Sequence, residues 1–358
     1  MAPAVTINSR DSLLVSIIIS NYNYSNFLPA AIDSALSQTY NLVEVIVVDD
    51  GSTDGSREII ERYGSQIISI MQQDNGGQAS CLNEGYKACN GEIIFFLDAD
   101  DFFCQEKVEK LVDIFAQAST LDPSLVLFDL SEAVDKEGNL TGDDMVGHLK
   151  ASNIDWQLFA RQIGRSHPFF SAKISKVCTS NQMYEEYVSK YRHVPFIGMP
   201  TSCVSMSRTL ADKIFPLPVN ELKVMADVFI VKAASLIGSV YSTDLPLTRY
   251  RLHGNNGYAG KKRSVEIEQL FYQTQDEFLN LKLEEGGYKP VLSFYDSMQA
   301  KGFYRLKYGR ECSSELFFLA TKVITWHVNW ITILFCLKTF FLAFAFKVTP
   351  KVLLESRA

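Results

Sequence analysis

The sequence predicts an α/β fold built on a Rossmann-like, doubly wound and mostly parallel sheet, and two observations lead to it. Two short apolar runs, Val45–Asp50 and Ile93–Asp101, each end in a cluster of aspartates. Runs of this length that are apolar on both faces are typical of parallel strands covered by helices. Between residues 15 and 98, strand-like and helix-like segments also alternate in the order βαβαβαβ, which favours parallel pairing with helical crossovers.

The elements are predicted in chain order from their apolar spacing and their breakers. Val15–Ile19 is rich in β-branched residues and predicts the first strand, and Asn26–Gln38 has apolar residues at helical spacing. A second strand ends at Asp49-Asp50. The following predicted elements are helix Ser52–Tyr63, strand Ile67–Gln72, helix Ala79–Ala88, strand Gly91–Asp98, helix Gln105–Ala118, strand Leu125–Phe128, a hairpin turn at Asp135–Asn139, helix Glu221–Ile237 and strand Val240–Tyr250 interrupted at Pro246.

These elements define one α/β domain at residues 13–260, after a loose N-terminal tail at 1–12. Its first half, 13–130, carries the regular alternation, whereas the second half, 131–260, contains a weakly patterned segment at about 141–195 that we interpret as an insertion. Residues 261–358 are predicted to form a helical C-terminal extension.

The composition restricts the function. The chain has 358 residues, is 47% hydrophobic and carries a net charge of -7, so a nucleic-acid partner is not expected. Its seven cysteines are scattered without zinc-site spacing, which indicates reduced thiols in a cytoplasmic protein. No secretory signal peptide is recognisable at the N-terminus.

The two aspartate clusters indicate chemistry at one edge of the sheet. In open α/β sheets, ligands bind beyond the carboxyl ends of the strands, so the clusters should converge there. Grouped carboxylates repel one another unless a cation lies among them, and hard oxygen ligands suit Mg²⁺ or Mn²⁺. A cation of this kind would hold a diphosphate, which suggests a nucleotide-linked substrate.

Several ordered segments resemble the family 2 glycosyltransferases, which have the GT-A fold. The matching segments are Val15–Asn23, Val47–Asp54, Gln73–Gln78 with Leu82–Gly85, Gly91–Asp101 and, more weakly, Thr201-Ser202 and Arg249–Asn256. Two departures concern the nucleotide contacts: Ser20-Asn21 stands where the family often has proline, and Leu82 where it often has arginine.

The resemblance implies how a nucleotide-diphosphate sugar, linked to UDP, GDP or dTDP, would be bound. Tyr22 would stack on the base and Asp50 would hydrogen-bond to it. Asn75 and Gln78 would also contact this donor. Asp98, the first acid of the Asp-x-Asp motif, would face the ribose or the donor sugar.

The resemblance also implies the metal and phosphate ligands. Asp100, the second acid of the motif, would bind Mn²⁺ or Mg²⁺. His253 would bind the metal or a phosphate oxygen, helped by Arg249 and Arg251. The neighbouring Asp101 is predicted instead to cap the next helix.

A general base must take the proton of the acceptor hydroxyl, and the resemblance assigns this role to Asp227. Ala226 occupies the place where the family usually has an acidic residue before that aspartate. The alternative is that Asp227 is an ordinary helix N-terminal residue favoured by the dipole. The resemblance further implies inversion by a single in-line attack.

The most apolar segment of the chain, Val323–Phe346, permits three interpretations. A polar stripe that runs from Lys322 to Lys347 at helical spacing favours an amphipathic helix in the membrane interface. The segment is also long enough to span a bilayer, or it could be buried against protein. Membrane association would suit a lipid-linked acceptor and a peripheral position on the inner face of the cell membrane.

The sequence therefore predicts a metal-dependent, inverting glycosyltransferase that moves a sugar to a glycan or lipid-linked acceptor, in cell-surface polysaccharide or glycolipid synthesis. A non-catalytic membrane-bound scaffold of the same fold is one alternative. A phosphatase with an aspartate nucleophile at Asp98 is another, although Asp101-Phe102 does not match its motif. A dinucleotide oxidoreductase is disfavoured because no glycine-rich loop follows the first strand.

Overall fold

A computed structural model describes residues 12–142, 174–189, 192–219, 222–254, 256 and 265–292. The strands in this part of the chain form one mixed sheet in the order β3-β2-β1-β4-β8-β6-β9-β5, with β7 paired to β9. The strands are β1 Val15–Asn21, β2 Val43–Asp49, β3 Ile68–Met71, β4 Ile93–Asp98, β5 Phe102–Phe103, β6 Leu125–Val134, β7 Ile174–Cys178, β8 Val204–Ser207 and β9 Ser239–Arg251.

The first half is parallel, as the alternation predicts. β1 pairs in parallel with β2 and β4, and β2 pairs in parallel with β3. The helices are α1 Leu28–Leu36, α2 Ser56–Tyr63, α3 Gln78–Ala88, α4 Lys107–Ala118, α5 Ser180–Met183, α6 Arg208–Ile214, α7 Ala226–Ile237 and α8 Val265–Glu285, with a π-helical turn at Tyr184–Val188 and 3₁₀ turns at Gly64–Gln66 and Thr201–Cys203.

Alternate strand residues separate the apolar core into two clusters, one on each face of the sheet. Ile18 and Phe96 belong to the cluster that includes α3 and α7 residues, while Ile17 and Phe95 belong to the cluster with α1 and α4 residues. All four side chains are fully buried. Because side chains alternate with period two along a strand, covering both faces requires the continuous apolar runs seen in the sequence.

The second half makes the sheet mixed. The short strand β8 lies between β4 and β6 and is antiparallel to both. β9 is a single long strand parallel to β6, with register shifts near Leu130, the partner of Pro246, where an interruption was expected. The predicted hairpin turn is present, since Gly138 N donates to Asp135 O at 3.0 Å.

Two helices begin later than the sequence predicts, for reasons visible in the backbone. α2 begins at Ser56 rather than Ser52, because Gly55 has φ +89° and the loop before it is hydrogen-bonded to the loop after β1. α7 begins at Ala226 rather than Glu221, because Lys223 and Met225 have φ of +57° and +66°. Left-handed residues cannot continue a right-handed helix.

The predicted helix cap at Asp101 is wrong. α4 begins six residues later, at Lys107, and its N-cap position is Glu106. The side chain of Asp101 instead accepts hydrogen bonds from Ser202 and Arg251.

Some predictions fall on residues outside the described ranges, namely the tail 1–11, the core of the expected insertion at 143–173, and the apolar segment 323–346. Among the helices that are described, none has the length and apolarity to cross a membrane.

Candidate active site

The carboxyl ends of the parallel strands β1, β2 and β4 meet at one edge of the sheet, as the aspartate clusters predict. In the strand register, Asn21 pairs with Asp49, and Ser20 pairs with Asp98. Asn21 Nδ2 donates to Asp49 Oδ1 at 2.7 Å, and Ser20 Oγ donates to Asp98 Oδ1 at 3.0 Å. Side-chain hydrogen bonds therefore join the two acidic clusters through β1.

Asp49 supports the loops around this edge. It is fully buried, accepts the Ser52 amide at 3.1 Å and forms an ion pair with Arg57 at 3.3 Å. Ser52 Oγ in turn accepts the Asn23 amide at 2.9 Å. These bonds fix the loop after β1 to the loop after β2 and leave Tyr22, which lies between the bonded positions, 42% exposed.

Asp50 holds the loop before α3. Its two carboxylate oxygens accept the amides of Gly76 and Gly77 at 2.8 and 2.7 Å. Burial raises the pKa of this carboxyl, although the two amides oppose the shift. On the same loop, the side-chain oxygen of Asn75 is buried and accepts no hydrogen bond from the described residues.

The Asp-x-Asp motif follows β4. Asp98 Oδ1 also accepts Gln78 Nε2 at 2.8 Å, and burial together with the charge of Asp100 raises the Asp98 pKa to about 7. Asp101 is buried and accepts Ser202 Oγ at 2.7 Å and the Arg251 amide at 2.9 Å. Burial and the charge of Asp100 raise the pKa of Asp101 well above its usual value.

Asp100 and His253 lie together, as the resemblance implies. His253 Nε2 is 3.0 Å from Asp100 Oδ2. Phe27 and Tyr24 cover the imidazole, with ring centroids 4.8 and 5.6 Å away. Burial and the charge of Asp100 raise the pKa of the Tyr24 hydroxyl, which is hydrogen-bonded to Asp100.

Arg251 packs against Asp100 and the aromatic residues beside His253. The side chain is 4% exposed, and its Nε donates to the Asp100 carbonyl at 2.8 Å while its Nη1 donates to the Lys136 carbonyl at 2.7 Å. Its guanidinium also lies over the rings of Phe27 and Phe102. These contacts favour a supporting role over the expected contact with a phosphate.

Asp227 lies in the first turn of α7, partly exposed, and accepts the Val228 amide at 3.0 Å. Burial raises its pKa to about 6. The charge of Asp227 also contributes to the raised pKa of Asp98. Gln78 joins them, because it bonds to Asp98 and its Oε1 accepts the amide of Ala226 at 3.0 Å.

The acidic residues fit a hard divalent cation only with help from another molecule. Asp98 and Asp100 supply hard oxygen ligands, and their mutual repulsion is the situation that a cation relieves. Within the described ranges, however, no group of three or more histidine, cysteine or acidic side chains could hold a metal ion by itself. A bound diphosphate would have to complete the coordination.

Sequence reasoning missed several residues that shape the site. Tyr24 and Phe27 come from a loop whose aromatics carried no motif. Ser202 lies in a segment that resembles the family, but its bond to Asp101, more than a hundred positions away along the chain, was not predicted. The bridge from Gln78 to Ala226 was also missed, since nothing in the local pattern indicates a partner in α7.

An Asp-x-Asp motif at the carboxyl ends of the strands of a Rossmann-like sheet is typical of glycosyltransferases with the GT-A fold. A family model described as glycosyl transferase family 2 matches residues 16–166. The matched region is thus a glycosyltransferase family 2 domain, and the fold is GT-A.

Individual relatives agree with this assignment. A glycosyltransferase of Nostoc sp. is 29% identical over 74% of this chain and 73% of its own length. One from Rickettsia conorii is 40% identical over 35% of this chain but only 21% of its own length. TarS of S. aureus, solved with UDP-GlcNAc, superposes with a TM-score of 0.55 at 16% identity, covering 91% of this chain and 79% of TarS.

Proposed function

We propose that this chain transfers a sugar, with inversion, from a nucleoside-diphosphate sugar to an acceptor hydroxyl. The observation that carries the proposal is that the side chain of Gln78 bonds both to Asp98 and to the backbone amide of Ala226, the residue directly before Asp227. The motif acid is thereby held beside a second carboxylate whose pKa, about 6, suits a general base near neutral pH.

The donor pocket is proposed from the loops at the strand ends. Tyr22 is exposed and would stack on the base. Asp50 accepts the amides of the Gly76-Gly77 turn, and Asn75 directly precedes that turn. The buried side-chain oxygen of Asn75 would accept an N–H or O–H group of the nucleotide. Crystals of TarS with UDP and with UDP-GlcNAc support a uridine diphosphate donor as the first to test.

Mn²⁺ or Mg²⁺ is proposed at Asp100 and His253, with Asp98 beside them. When bound, such a cation would neutralise charge that develops on the departing diphosphate. His253 is held by Phe27 and by its bond to Asp100, so its imidazole nitrogen is already oriented toward the carboxylate.

Transfer then takes one step. The acceptor oxygen forms a bond to the anomeric carbon while the bond from that carbon to the diphosphate oxygen breaks. The electron pair leaves with the diphosphate, and the acceptor proton moves to the Asp227 carboxylate. Attack from the face opposite the leaving group inverts the anomeric configuration.

The acceptor and the location of the protein are proposed from the sequence. The apolar segment 323–346 would bring the protein to the inner face of the cell membrane, where a lipid-linked acceptor or a growing glycan is built. Cell-surface polysaccharide or glycolipid synthesis is the process that fits such an acceptor.

A donor screen tests the proposal. UDP-, GDP- and dTDP-sugars are added with Mn²⁺ or with EDTA, and thermal stability and donor hydrolysis are measured. A ligand that binds only the folded protein raises the melting temperature. We expect sugars of one nucleotide class to stabilise the protein and to be hydrolysed with Mn²⁺ but not with EDTA. Failure of all three classes to bind would overturn the proposal, and metal-independent turnover would overturn its metal requirement.

A further inference from the structure

Gln78 has no hydrogen-bonding N–H group left for a substrate. A glutamine amide nitrogen carries two hydrogens, and Gln78 Nε2 donates to Asp98 Oδ1 at 2.8 Å and to Thr201 Oγ1 at 3.0 Å. Its oxygen accepts the amide of Ala226 at 3.0 Å. Both side-chain N–H groups of Gln78 therefore bond to the protein. This is unexpected, because the family resemblance implies that Gln78 contacts the nucleotide sugar.

The three partners belong to parts of the chain that are distant in sequence. Asp98 ends β4, Thr201 opens a 3₁₀ turn before β8, and Ala226 is the first residue of α7. Ala226 directly precedes Asp227. The side-chain amide of Gln78 thus connects β4, which ends in the first acid of the Asp-x-Asp motif, to α7, which carries Asp227.

The backbone beside Gln78 is built for the same connection. The backbone amide of Gln78 donates to the Lys223 carbonyl at 2.9 Å, and Lys223 Nζ donates to the Asn75 carbonyl at 2.8 Å. Gly77, at φ +89°, packs so closely that a Cβ there would lie 2.5 Å from Lys223 Cα. Lys223 and Met225 adopt left-handed conformations to reach this position. Strained residues of this kind persist only where their surroundings fix them.

We propose that Gln78 is a positioning residue that sets the placement of Asp227 relative to Asp98 and does not itself bind the donor. Asp98 faces the donor and Asp227 faces the acceptor in the proposed function, on which this inference rests. A fixed bridge between them sets the approach of the acceptor oxygen to the anomeric carbon. Misplacement by about 1 Å can cost about 10²-fold in rate.

Gln38 offers a matched control. Its Nε2 also donates twice, to the carbonyls of Ser34 and Cys104 at 2.8 and 3.0 Å, and its oxygen accepts the Val108 amide near the start of α4 at 2.9 Å. The two glutamines have the same bonding pattern at a helix start, but Gln38 bonds to none of the site residues.

The experiment compares Gln78→Met, Gln78→Glu and Gln38→Met in the full chain. Hydrogen exchange is measured over residues 222–228, and UDP-GlcNAc binding and hydrolysis are measured with Mn²⁺. For Gln78→Met we expect faster exchange over 222–228 and a kcat lower by about 10²-fold, with a donor Kd changed by less than about threefold. Gln38→Met should keep wild-type exchange over 222–228 and wild-type kcat.

Gln78→Glu separates the two arms of the bridge. It keeps an oxygen for the Ala226 amide but removes the N–H groups that bond to Asp98 and Thr201. Exchange over 222–228 should therefore return toward the wild-type rate, while kcat stays low because the new carboxylate repels Asp98. Equal exchange in all variants and the wild type would overturn the inference without any substrate.

The other outcomes are also decisive. A weaker donor Kd with unchanged kcat in Gln78→Met would make Gln78 a donor ligand and overturn the inference. Equal losses of kcat and melting temperature in Gln78→Met and Gln38→Met would reduce its role to general stability, which also overturns it. If the wild type binds none of the donor classes, the proposed function fails, whereas the exchange measurement still decides whether the bridge holds α7.

Discussion

A carboxylate can act as a general base only in the pH range where it is ionised, and burial sets that range for Asp227. Its pKa is raised to about 6, so the ionised fraction falls as the pH drops through that value. We therefore expect kcat/KM to rise with pH through about 6 and to level off above it. The profile is measured at saturating Mn²⁺, which keeps the neighbouring motif acids ionised.

The same role predicts the effect of Asp227→Asn. An amide cannot accept the acceptor proton, so kcat should fall by roughly 10²–10⁴-fold and its dependence on pH near 6 should disappear. Donor affinity should hardly change, because this residue faces the acceptor. Isothermal titration with the preferred donor and Mn²⁺ provides the control. A variant that loses donor binding but keeps kcat would place Asp227 at the nucleotide.

Asp100→Asn tests the metal assignment. The substitution keeps the shape of the side chain and its neighbour His253, 3.0 Å away, but removes the charge that would hold a divalent cation. We expect most turnover to be lost, together with the increase in donor affinity that Mn²⁺ gives the wild type, while circular dichroism stays unchanged. Near wild-type activity in Mn²⁺ would mean that Asp100 does not bind the metal.

At the scale of elements, the junction of α4, β6 and β9 contains a fully buried ion pair. Lys107 Nζ is fully buried and donates to Asp129 Oδ1, the Ser202 carbonyl and Thr248 Oγ1 at 2.9, 2.7 and 2.6 Å. Burial raises the pKa of Asp129 in spite of this ion pair. Ser202 in turn bonds to Asp101, so the junction supports the motif loop.

Lys107→Met should therefore destabilise the whole domain. It leaves the Asp129 carboxylate buried without its cationic partner, which typically costs about 3–5 kcal/mol, measurable as a lower urea midpoint. Lys110→Met is the control, because its pair with Glu106 is 43% and 57% exposed and such pairs contribute at most about 1 kcal/mol. Equal stability of the two variants would show that the buried pair is dispensable.

This junction shows which contacts could not be predicted from the sequence. Apolar periodicity located β1, β2, β4 and α3, because each is defined by its own neighbours along the chain. Lys107 looks like an ordinary helix-start lysine, and its partners are 22, 95 and 141 residues away. The short β8 has no apolar run long enough to stand out, yet it is antiparallel to both of its neighbours and so contributes to the mixed character of the sheet.

At the scale of the whole molecule, some features of the site follow from the sequence and others do not. The positions of Asp98 and Asp100 followed from strand ends, whose convergence is a property of parallel sheets. The bond of Gln78 to Ala226 depends on how the two halves of the domain meet. No local pattern specifies that meeting, so the late start of α7 could not be anticipated from residues 221–225 alone.

The last prediction concerns the apolar segment 323–346, for which we favour the membrane interface. Every site residue lies in the compact unit that ends at Leu292, so a chain shortened before Lys322 should still bind a nucleotide sugar with Mn²⁺. It should no longer sediment with anionic liposomes, because the apolar and aromatic residues that would enter the interface are gone.

Activity on a lipid-borne acceptor should fall after this truncation, while hydrolysis of the donor in solution stays unchanged, since only the concentration of enzyme at the surface is lost. Trp326→Ser with Trp330→Ser in the full-length chain is the milder control and should weaken liposome binding without removing the segment. A full-length protein that stays soluble without detergent and ignores liposomes would contradict membrane anchoring. That result would favour burial of these tryptophans against protein, and their fluorescence would then be blue-shifted in the absence of lipid.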